Sequence, residues 1–466
     1  MNLRRNFLFA LVLLVCAFAA PARADRVDDY VREQMRLRHI PGLALVVVRD
    51  GKVVKERGYG LASVELDVPV TPDTVFEIGS VSKQLTAAAV MLLVEEGKLS
   101  LDDSISKHLP GTPEAWSAIT VRHLLTHTSG IRNYTGLVGF ELTERLKRDE
   151  FIKRIGAHPL AFEPGSAHSY GNTNYNLLGH IIEAASGRTY WEFMRERIFR
   201  PLGMSATADR DPRYVLKNRA EGYEWEDGAL VGRDYDLTDV FSAGAVVSTV
   251  RDLVKWDAAL GGERLLKKSS LERIWTPTRL NDGREHPYAL GWYVETLRGH
   301  RRVRHNGQTA GFAASIARYR EDRLTVIVLC NLGTIGLAGR INQGVAKLYV
   351  PALSLGALAA RPDPDAPRAR RLETILRDLL AGRNAAPDAF TPERLAALST
   401  PAAKSNWQQL AAYGPLKSLA FVESEAASEK TRALRYKAVL GEHLLLVRFA
   451  LAEDGRVSEL NVEEEE

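Results

Sequence analysis

Two β-rich stretches lying far apart in the chain constrain its fold more than any other feature. Gly42 to Gly60 reads GLALVVVRDGKVVKERGYG, two β-prone runs joined by Asp50-Gly51, a dipeptide suited to a two-residue hairpin turn. Far downstream, FAASIARYR (Phe312 to Arg320) and RLTVIVLCN (Arg323 to Asn331) repeat the pattern around Glu321-Asp322. Between them, from about Asp102 to Leu266, the sequence is mostly helical patches and long loops. Strands at both ends with helices between predict one antiparallel sheet built from the two ends of a domain, flanked by helices and carrying a helical insert. The predicted fold class is therefore mixed α/β (α+β). With 466 residues, 45% of them hydrophobic and 26% charged, the chain has room for two domains and a sizeable core.

The two termini differ in character. Arg4 and Arg5 precede an unbroken apolar run from Phe7 to Ala20, and Ala22-Arg23-Ala24 reads as a cleavage site, so residues 1–24 are a predicted secretory signal peptide. The run is shorter than the roughly 20 residues of a membrane-spanning helix. No stable span is expected once it is removed, and the destination is periplasmic or secreted. Bulky Val15 argues against lipidation at Cys16. Loss of Arg4, Arg5 and Arg23 lowers the formal charge from +4 by three, to +1, which leaves no electrostatic footprint for nucleic acid. Cys330 is then the only cysteine; it lies in LTVIVLCN, reads as a packed core residue, and excludes an intrachain disulfide.

Past Pro351 the composition changes. AARPDPDAPRARR (Ala359 to Arg371) carries three prolines and mixed charge and reads as an exposed connection. Helix-like stretches around Leu372–Leu380 and Pro392–Leu398 follow. Four strand candidates come next, around Leu416–Val422, Leu434–Leu440, His443–Leu451 and Val457–Val462. The predicted organisation is a domain over 25–352, a linker over 353–371 and a small α+β domain over 372–466, with Glu463–Glu466 a solvated tail.

FEIGSVSKQLTAAAVMLLVEEGKL (Phe76 to Leu99) holds the first candidate for chemistry. Leu85, Ala88, Ala89, Leu92 and Leu93 predict a helix over Ser80–Gly97, closed by Gly97. Ser80 could simply cap that helix, with Lys83 pointing to water. Alternatively, Lys83 lies one turn on, on the same face, and a lysine held in a dry site can act as a base on the serine hydroxyl. SAHSYGNTNYNLLGH (Ser166 to His180) places Tyr170 and Asn172 two apart before a helix, where a phenol and an amide can enter one cleft together; a turn rich in Asn and Gly is the plainer alternative. VRHNGQTAGF (Val303 to Phe312) sets His305 and Gly307 where a substrate backbone can pass closely. His123 and His127 have a zinc-like spacing but lack the H-E-x-x-H glutamate. Asp102-Asp103 reads as a capping pair, and Tyr223, Trp225, Tyr288 and Trp292 as core or loop packing.

Taken in order, these segments resemble the serine β-lactamase and penicillin-binding-protein superfamily, in particular its class C-like branch of esterases, D-peptidases and β-lactamases. Ser80-Val81-Ser82-Lys83 matches S-x-x-K, Tyr170-Gly171-Asn172 matches Y-x-N, and His305-Asn306-Gly307 matches the H-x-G form of the third motif. HLLTHTSGI, FSAGAVVSTVRDLVKW and YALGWYV support the likeness, which covers about Asp28 to Val350. The resemblance implies a serine hydrolase without metal or cofactor, acting on a small-molecule ester, a peptide or a cell-wall-type substrate. Ser80 would be the nucleophile, and Lys83 and Tyr170 would share the base and proton-shuttle roles. Asn172 would hold Lys83 and a substrate oxygen, and His305 would orient substrate. The oxyanion hole would be the N–H groups of Ser80 and Gln308, beside Gly307. Asn306 stands where β-lactamases and many D-peptidases of the superfamily have a threonine that helps bind a substrate carboxylate; with histidine in place of lysine, this weakens the implied case for an efficient β-lactamase and leaves esterase or peptidase activity open. A D-alanyl-D-alanine carboxypeptidase, a β-lactamase and a non-catalytic binding protein that keeps the fold are the alternatives. The resemblance fixes no oligomeric state, and the C-terminal module, with no cluster of reactive groups, is expected to dock or cover.

Overall fold

The structure is a computed structural model that describes residues 25–138, 140, 146–383, 386–428 and 431–464; the predicted signal peptide lies outside the described residues. Asp25 caps helix α1 (Arg26–Leu37), its carboxylate accepting the N–H groups of Val27 and Asp28. Strands β1 (Gly42–Arg49) and β2 (Lys52–Ser63) form the predicted hairpin, with φ of 53° at Asp50 and 75° at Gly51. A short β3 (Val68–Pro69) follows, then β4 (Phe76–Glu77), a 3₁₀ turn over Gly79–Val81, and helix α2 (Ser82–Glu95). The insert contributes helix α3 (Asn172–Ser186) and strands β5 (Ala208–Asp209) and β6 (Val246–Ser248). The chain then returns to the main sheet as β7 (Tyr293–Leu297), β8 (His300–Thr309), β9 (Phe312–Tyr319) and β10 (Leu324–Cys330), and ends the domain in helix α4 (Leu337–Tyr349).

The seven-stranded sheet has the order β7-β8-β9-β10-β1-β2-β3 and is antiparallel throughout. Its seam is the pairing of β1 with β10, from Leu43 opposite Cys330 to Arg49 opposite Leu324, which joins the two ends of the domain. Both strands are covered on both faces, so they read as continuous apolar runs rather than alternating ones. Val31, Ile341 and Val345 of α1 and α4 cover Leu45, Val47 and Val328 on one face, while Val46 and Ile327 face the cluster built on α2 and the insert. Cys330 is buried in the first of these layers, and burial pushes its thiol pKa up.

Two elements differ from expectation. Helix α2 starts at Ser82 rather than Ser80 and is buried from Ser82 through Leu93, so it is a central helix packed on every side. The insert also contains strands: β5 and β6 join β4 in a small three-stranded sheet, and Gly222–Glu226 pairs with Ala229–Arg233.

The C-terminal part contains α5 (Ala366–Leu380), α6 (Pro392–Leu398) and α7 (Pro401–Ala411) and a meander of β11 (Leu416–Ser428), β12 (Thr431–Leu440), β13 (His443–Leu451) and β14 (Val457–Glu464). Leu372, Ile375, Leu376 and Trp407 pack on Leu434, Tyr436 and Phe449 in a core of its own. Asp365 caps α5, which begins six residues before the expected helix start, within the proline-rich stretch. Glu463 and Glu464 belong to β14 rather than to a free tail. Glu463 accepts from Arg298 at 2.5 Å and Glu464 from the Tyr413 hydroxyl at 2.8 Å.

Candidate active site

Ser80 stands on the 3₁₀ turn between β4 and α2, and its hydroxyl caps no helix: the residue preceding α2, Val81, makes no side-chain cap bond. The turn is pressed against β8. A Cβ at Gly79, where φ is +50°, would lie 2.6 Å from the Gln308 nitrogen; one at Gly307 would lie 1.9 Å from the Ile78 carbonyl and 3.1 Å from the Ser80 nitrogen. Only two glycines let the backbones cross this closely. The crossing sets the Ser80 turn beside Gln308 of β8.

Lys83 does not point to water; it is completely buried. Its Nζ lies 2.9 Å from Ser80 Oγ, 2.8 Å from Asn172 Oδ1 and 2.9 Å from the Ala243 carbonyl oxygen. The last two are acceptors only. An uncharged amine has two hydrogens and one lone pair, so it can donate to Asn172 and Ala243 and accept from the Ser80 hydroxyl. Burial pushes the Lys83 pKa well below the ordinary lysine value, and among the described residues no carboxylate pairs with it.

Tyr170 and Asn172 converge on the same amine, from the turn before α3 and from its first residue. The Tyr170 ring centroid is 4.8 Å from Lys83 Nζ, with Tyr175 at 5.5 Å. Burial raises the Tyr170 pKa. Its hydroxyl makes no hydrogen bond of regular geometry, yet stands near enough to Ser80 for that hydroxyl to favour the phenolate. His305 is buried on β8. Its Nδ1 lies 2.6 Å from the Asn306 carbonyl and its Nε2 3.0 Å from the Tyr288 hydroxyl, so the ring carries its proton on Nδ1 and accepts from Tyr288. Burial, with Lys83 nearby, lowers its pKa to about 3. The ring is neutral across the physiological range.

The structure brings Ser80, Lys83, Tyr170, Asn172, His305, Gly307 and Gln308 together here, but not Asn306 of the third motif. Asn306 is turned to the opposite face of β8, where its Oδ1 accepts from Ser315 at 2.9 Å and its amide lies over Gly339 of α4. It cannot stand in for a carboxylate-binding threonine on the His305 face, because successive strand residues face opposite ways. Asp102 and Asp103 cap no helix; Asp102 accepts from Arg122, and Asp103 from Lys107 and His108.

Three contributors were not anticipated. The Ala243 carbonyl comes from FSAGAVVSTV, where residue type gives no sign of a backbone acceptor. Tyr288, expected as packing, bonds the His305 ring. His127, considered as a metal ligand, is fully buried with its ring 4.3 Å from Tyr170 and 4.7 Å from Tyr288. Its Nδ1 accepts from Gly171 N–H and the Asn174 amide, leaving the proton on Nε2. His123 instead serves the capping box that starts Val121–Leu125. No group of three or more His, Cys, Asp or Glu residues suited to a metal occurs among the described residues.

A buried Ser–Lys pair at the head of a central helix, with a tyrosine and an amide on the lysine and an antiparallel sheet alongside, defines a serine hydrolase of the S-x-x-K class. The chain belongs to the Beta-lactamase family, which it matches over residues 27–347. It is 31% identical over 306 residues to penicillin-binding protein 4* of Bacillus subtilis (strain 168), covering 62% of this chain and 67% of that protein. It is 29% identical over 318 residues to Protein flp of Staphylococcus aureus (strain MW2), covering 66% of this chain and 63% of that one. Among solved structures, the octameric penicillin-binding protein homologue from Pyrococcus abyssi shares the fold over 94% of this chain and 98% of its own, with a TM-score of 0.61 at 24% identity. D-amino acid amidase from Ochrobactrum anthropi SV3, solved with L-phenylalanine amide, matches 70% of this chain and 95% of its own, with a TM-score of 0.59 at 26% identity.

Proposed function

We propose that the protein is an exported serine hydrolase that forms an acyl-enzyme at Ser80 and acts on an ester or a D-amino-acid-type peptide or amide bond. The observation that carries this reading is the fully buried Lys83 amine, 2.9 Å from Ser80 Oγ and otherwise bonded to two acceptors, with burial pushing its pKa well below the ordinary lysine value. In acylation Lys83 takes the Ser80 proton as Oγ attacks the substrate carbonyl, and Tyr170 relays a proton to the leaving group. The Ser80 and Gln308 N–H groups receive the developing oxyanion. Asn172 keeps Lys83 in register and offers its amide to a substrate oxygen. Water then attacks the acyl carbon, and the proton returns to Oγ.

Residues 25–352 carry this site, 353–371 connect, and 372–466 form an appended domain that braces the outer side of the sheet. Periplasmic or secreted localisation rests on the signal-peptide reading. A neutral His305 supports substrates that lack a carboxylate beside the scissile bond, such as esters and amides. The penicillin-binding proteins among the relatives support a second reading, a penicillin-binding protein of the D-peptidase kind that the sequence resemblance implies.

The test is hydrolysis of a short-chain p-nitrophenyl ester by the mature protein and by Ser80→Ala. Turnover that vanishes with the serine is expected. Equal turnover by both proteins, or none by either, would remove the esterase reading. Stable acylation of Ser80 by a penicillin would favour the peptidase, and rapid release a β-lactamase. A biological role that survives Ser80→Ala would favour a non-catalytic one.

A further inference from the structure

The glycine crossing that assembles the two N–H groups has no side chain of its own to hold it. Gly79 and Gly307 meet backbone to backbone, so nothing packed between them sets the spacing. The nearest fixed link lies just outside the crossing. Glu77, at the end of β4, is three residues before Ser80, and Thr309, at the end of β8, is one residue after Gln308. Thr309 Oγ1 donates to Glu77 Oε2 at 2.7 Å, while Arg210 Nε donates to Glu77 Oε1 at 3.0 Å. The Glu77 and Arg210 side chains are 2% and 5% exposed, so this carboxylate is desolvated and both its oxygens are engaged. Arg210 is anchored in turn: its N–H donates to the Ala245 carbonyl at 2.7 Å, two residues from the carbonyl that receives Lys83, and its guanidinium pairs with Asp234.

We infer that Glu77 and Thr309 are positioning residues that strap β8 to the Ser80 turn and so set the distance between the Ser80 and Gln308 N–H groups. The inference rests on the proposed role of those groups as the oxyanion hole. A donor pair acts in catalysis only when both donors reach the place the oxyanion will occupy, so loosening the strap should be felt in the transition state and little in ground-state binding. A network serving only stability would instead reduce the amount of folded protein and leave each folded site at full rate.

Thr309→Val removes the hydroxyl at nearly constant volume and leaves the Glu77–Arg210 pair in place; Thr309→Ser restores the donor. With a p-nitrophenyl ester, and active sites counted by fluorophosphonate labelling, Thr309→Val is expected to lower kcat about 10- to 100-fold. KM should stay within about two-fold. Affinity for a boronic acid that forms a tetrahedral adduct on serine should fall by the same factor as kcat/KM. Thr309→Ser should recover to within about three-fold of wild type. Wild-type kcat per labelled site in Thr309→Val would overturn the inference, as would a loss that the boronic acid does not report or that serine does not rescue. Absence of Ser80-dependent turnover in the wild-type protein would overturn the reading beneath it, and the inference with it; normal turnover with an unimpaired Thr309→Val overturns the inference alone.

Discussion

Strand β8 has two faces, and they solve opposite problems. On one, His305 and Gly307 look toward Ser80, and the groups around the reactive amine are aromatic rings, amides and neutral imidazoles. On the other, Arg302, Arg304 and Asn306 look toward α4: Arg302 donates to Gln343 at 3.1 Å and to Glu295 at 2.7 Å, and Arg304 grips both oxygens of Glu295. Alternation along one strand thus keeps formal charges away from a lysine that has to stay neutral. The difference teaches that the site depends on exclusion as much as on placement. A carboxylate on the Lys83 side would bind and protonate the base, whereas the same group on the far side is harmless.

The comparison breaks most visibly at the amine itself. Lys83→Met should lower kcat/KM for the ester by about 10³-fold or more, as loss of a general base does in other serine hydrolases. The wild-type pH profile sharpens the point. Only the unprotonated amine accepts the serine proton, so kcat/KM is low below the Lys83 pKa and rises as pH climbs through it. That limb should lie well below the usual lysine range, because burial depresses the value. The raised Tyr170 pKa adds no opposing limb near neutrality. A rising limb near that of a free lysine would show that the amine is wet and paired, and the contrast between the faces would be lost.

A smaller effect separates the faces by stability. Burial holds His305 at about 3, His168 at about 4 and His127 well below its usual value, whereas an unfolded histidine titrates near 6.5. Between these limits the unfolded chain binds protons that the folded one refuses. Stability from these rings is therefore complete above about pH 6.5 and declines as pH falls, by about 1.4 kcal/mol per unit for the fully buried His305 and His127 and by less for the partly exposed His168. The back face behaves otherwise. Glu295 is held below its ordinary value despite its burial, by Arg304 and Arg302, and its contribution is present above about 4.5 and lost only as pH falls through its lowered pKa. Urea unfolding at pH 7, 6 and 5 should show a decline across that window, and His305→Gln should flatten it by about one ring's share. An unchanged slope in that variant would mean that His305 is protonated in the folded state.

What could be read in the chain follows the same division between side chains and surroundings. Ser80, Lys83, Tyr170, Asn172 and His305 stood out because three motifs in order resemble a known family, whereas the local spacing of each left a plainer alternative open. The Ala243 carbonyl was not, since a backbone acceptor leaves no mark in residue type, and Tyr288 and His127 were read as packing or as a possible ligand because only the fold brings them to Tyr170. The start of α2 was misplaced for a physical reason: serine suits a helix cap, and only the crossing with β8 draws Ser80 into a 3₁₀ turn. Asn306 is different again. The period of two that makes a strand was already in the sequence, and applying it to His305 would have sent Asn306 to the other face.

The smallest effect is expected where the back face meets the C-terminal domain. Arg298, in the turn between β7 and β8, donates to the Leu353 carbonyl and to Glu463 of β14, each at 2.5 Å. The arginine side chain is 5% exposed but Glu463 is 44% exposed, so solvent screens the pair and the carboxylate loses little on being neutralised. Glu463→Gln keeps an acceptor for Arg298, and it should cost less than about 1 kcal/mol in urea unfolding. Ester kcat/KM should stay within about two-fold of wild type, because Asn306 and the arginines lie between this contact and the His305 face. A loss of activity without a loss of stability would mean that the C-terminal domain acts through β8 on the groups lining the Ser80 cleft. The two faces of the strand would then be coupled rather than insulated, and the appended domain would be a regulator of the site instead of a brace behind it.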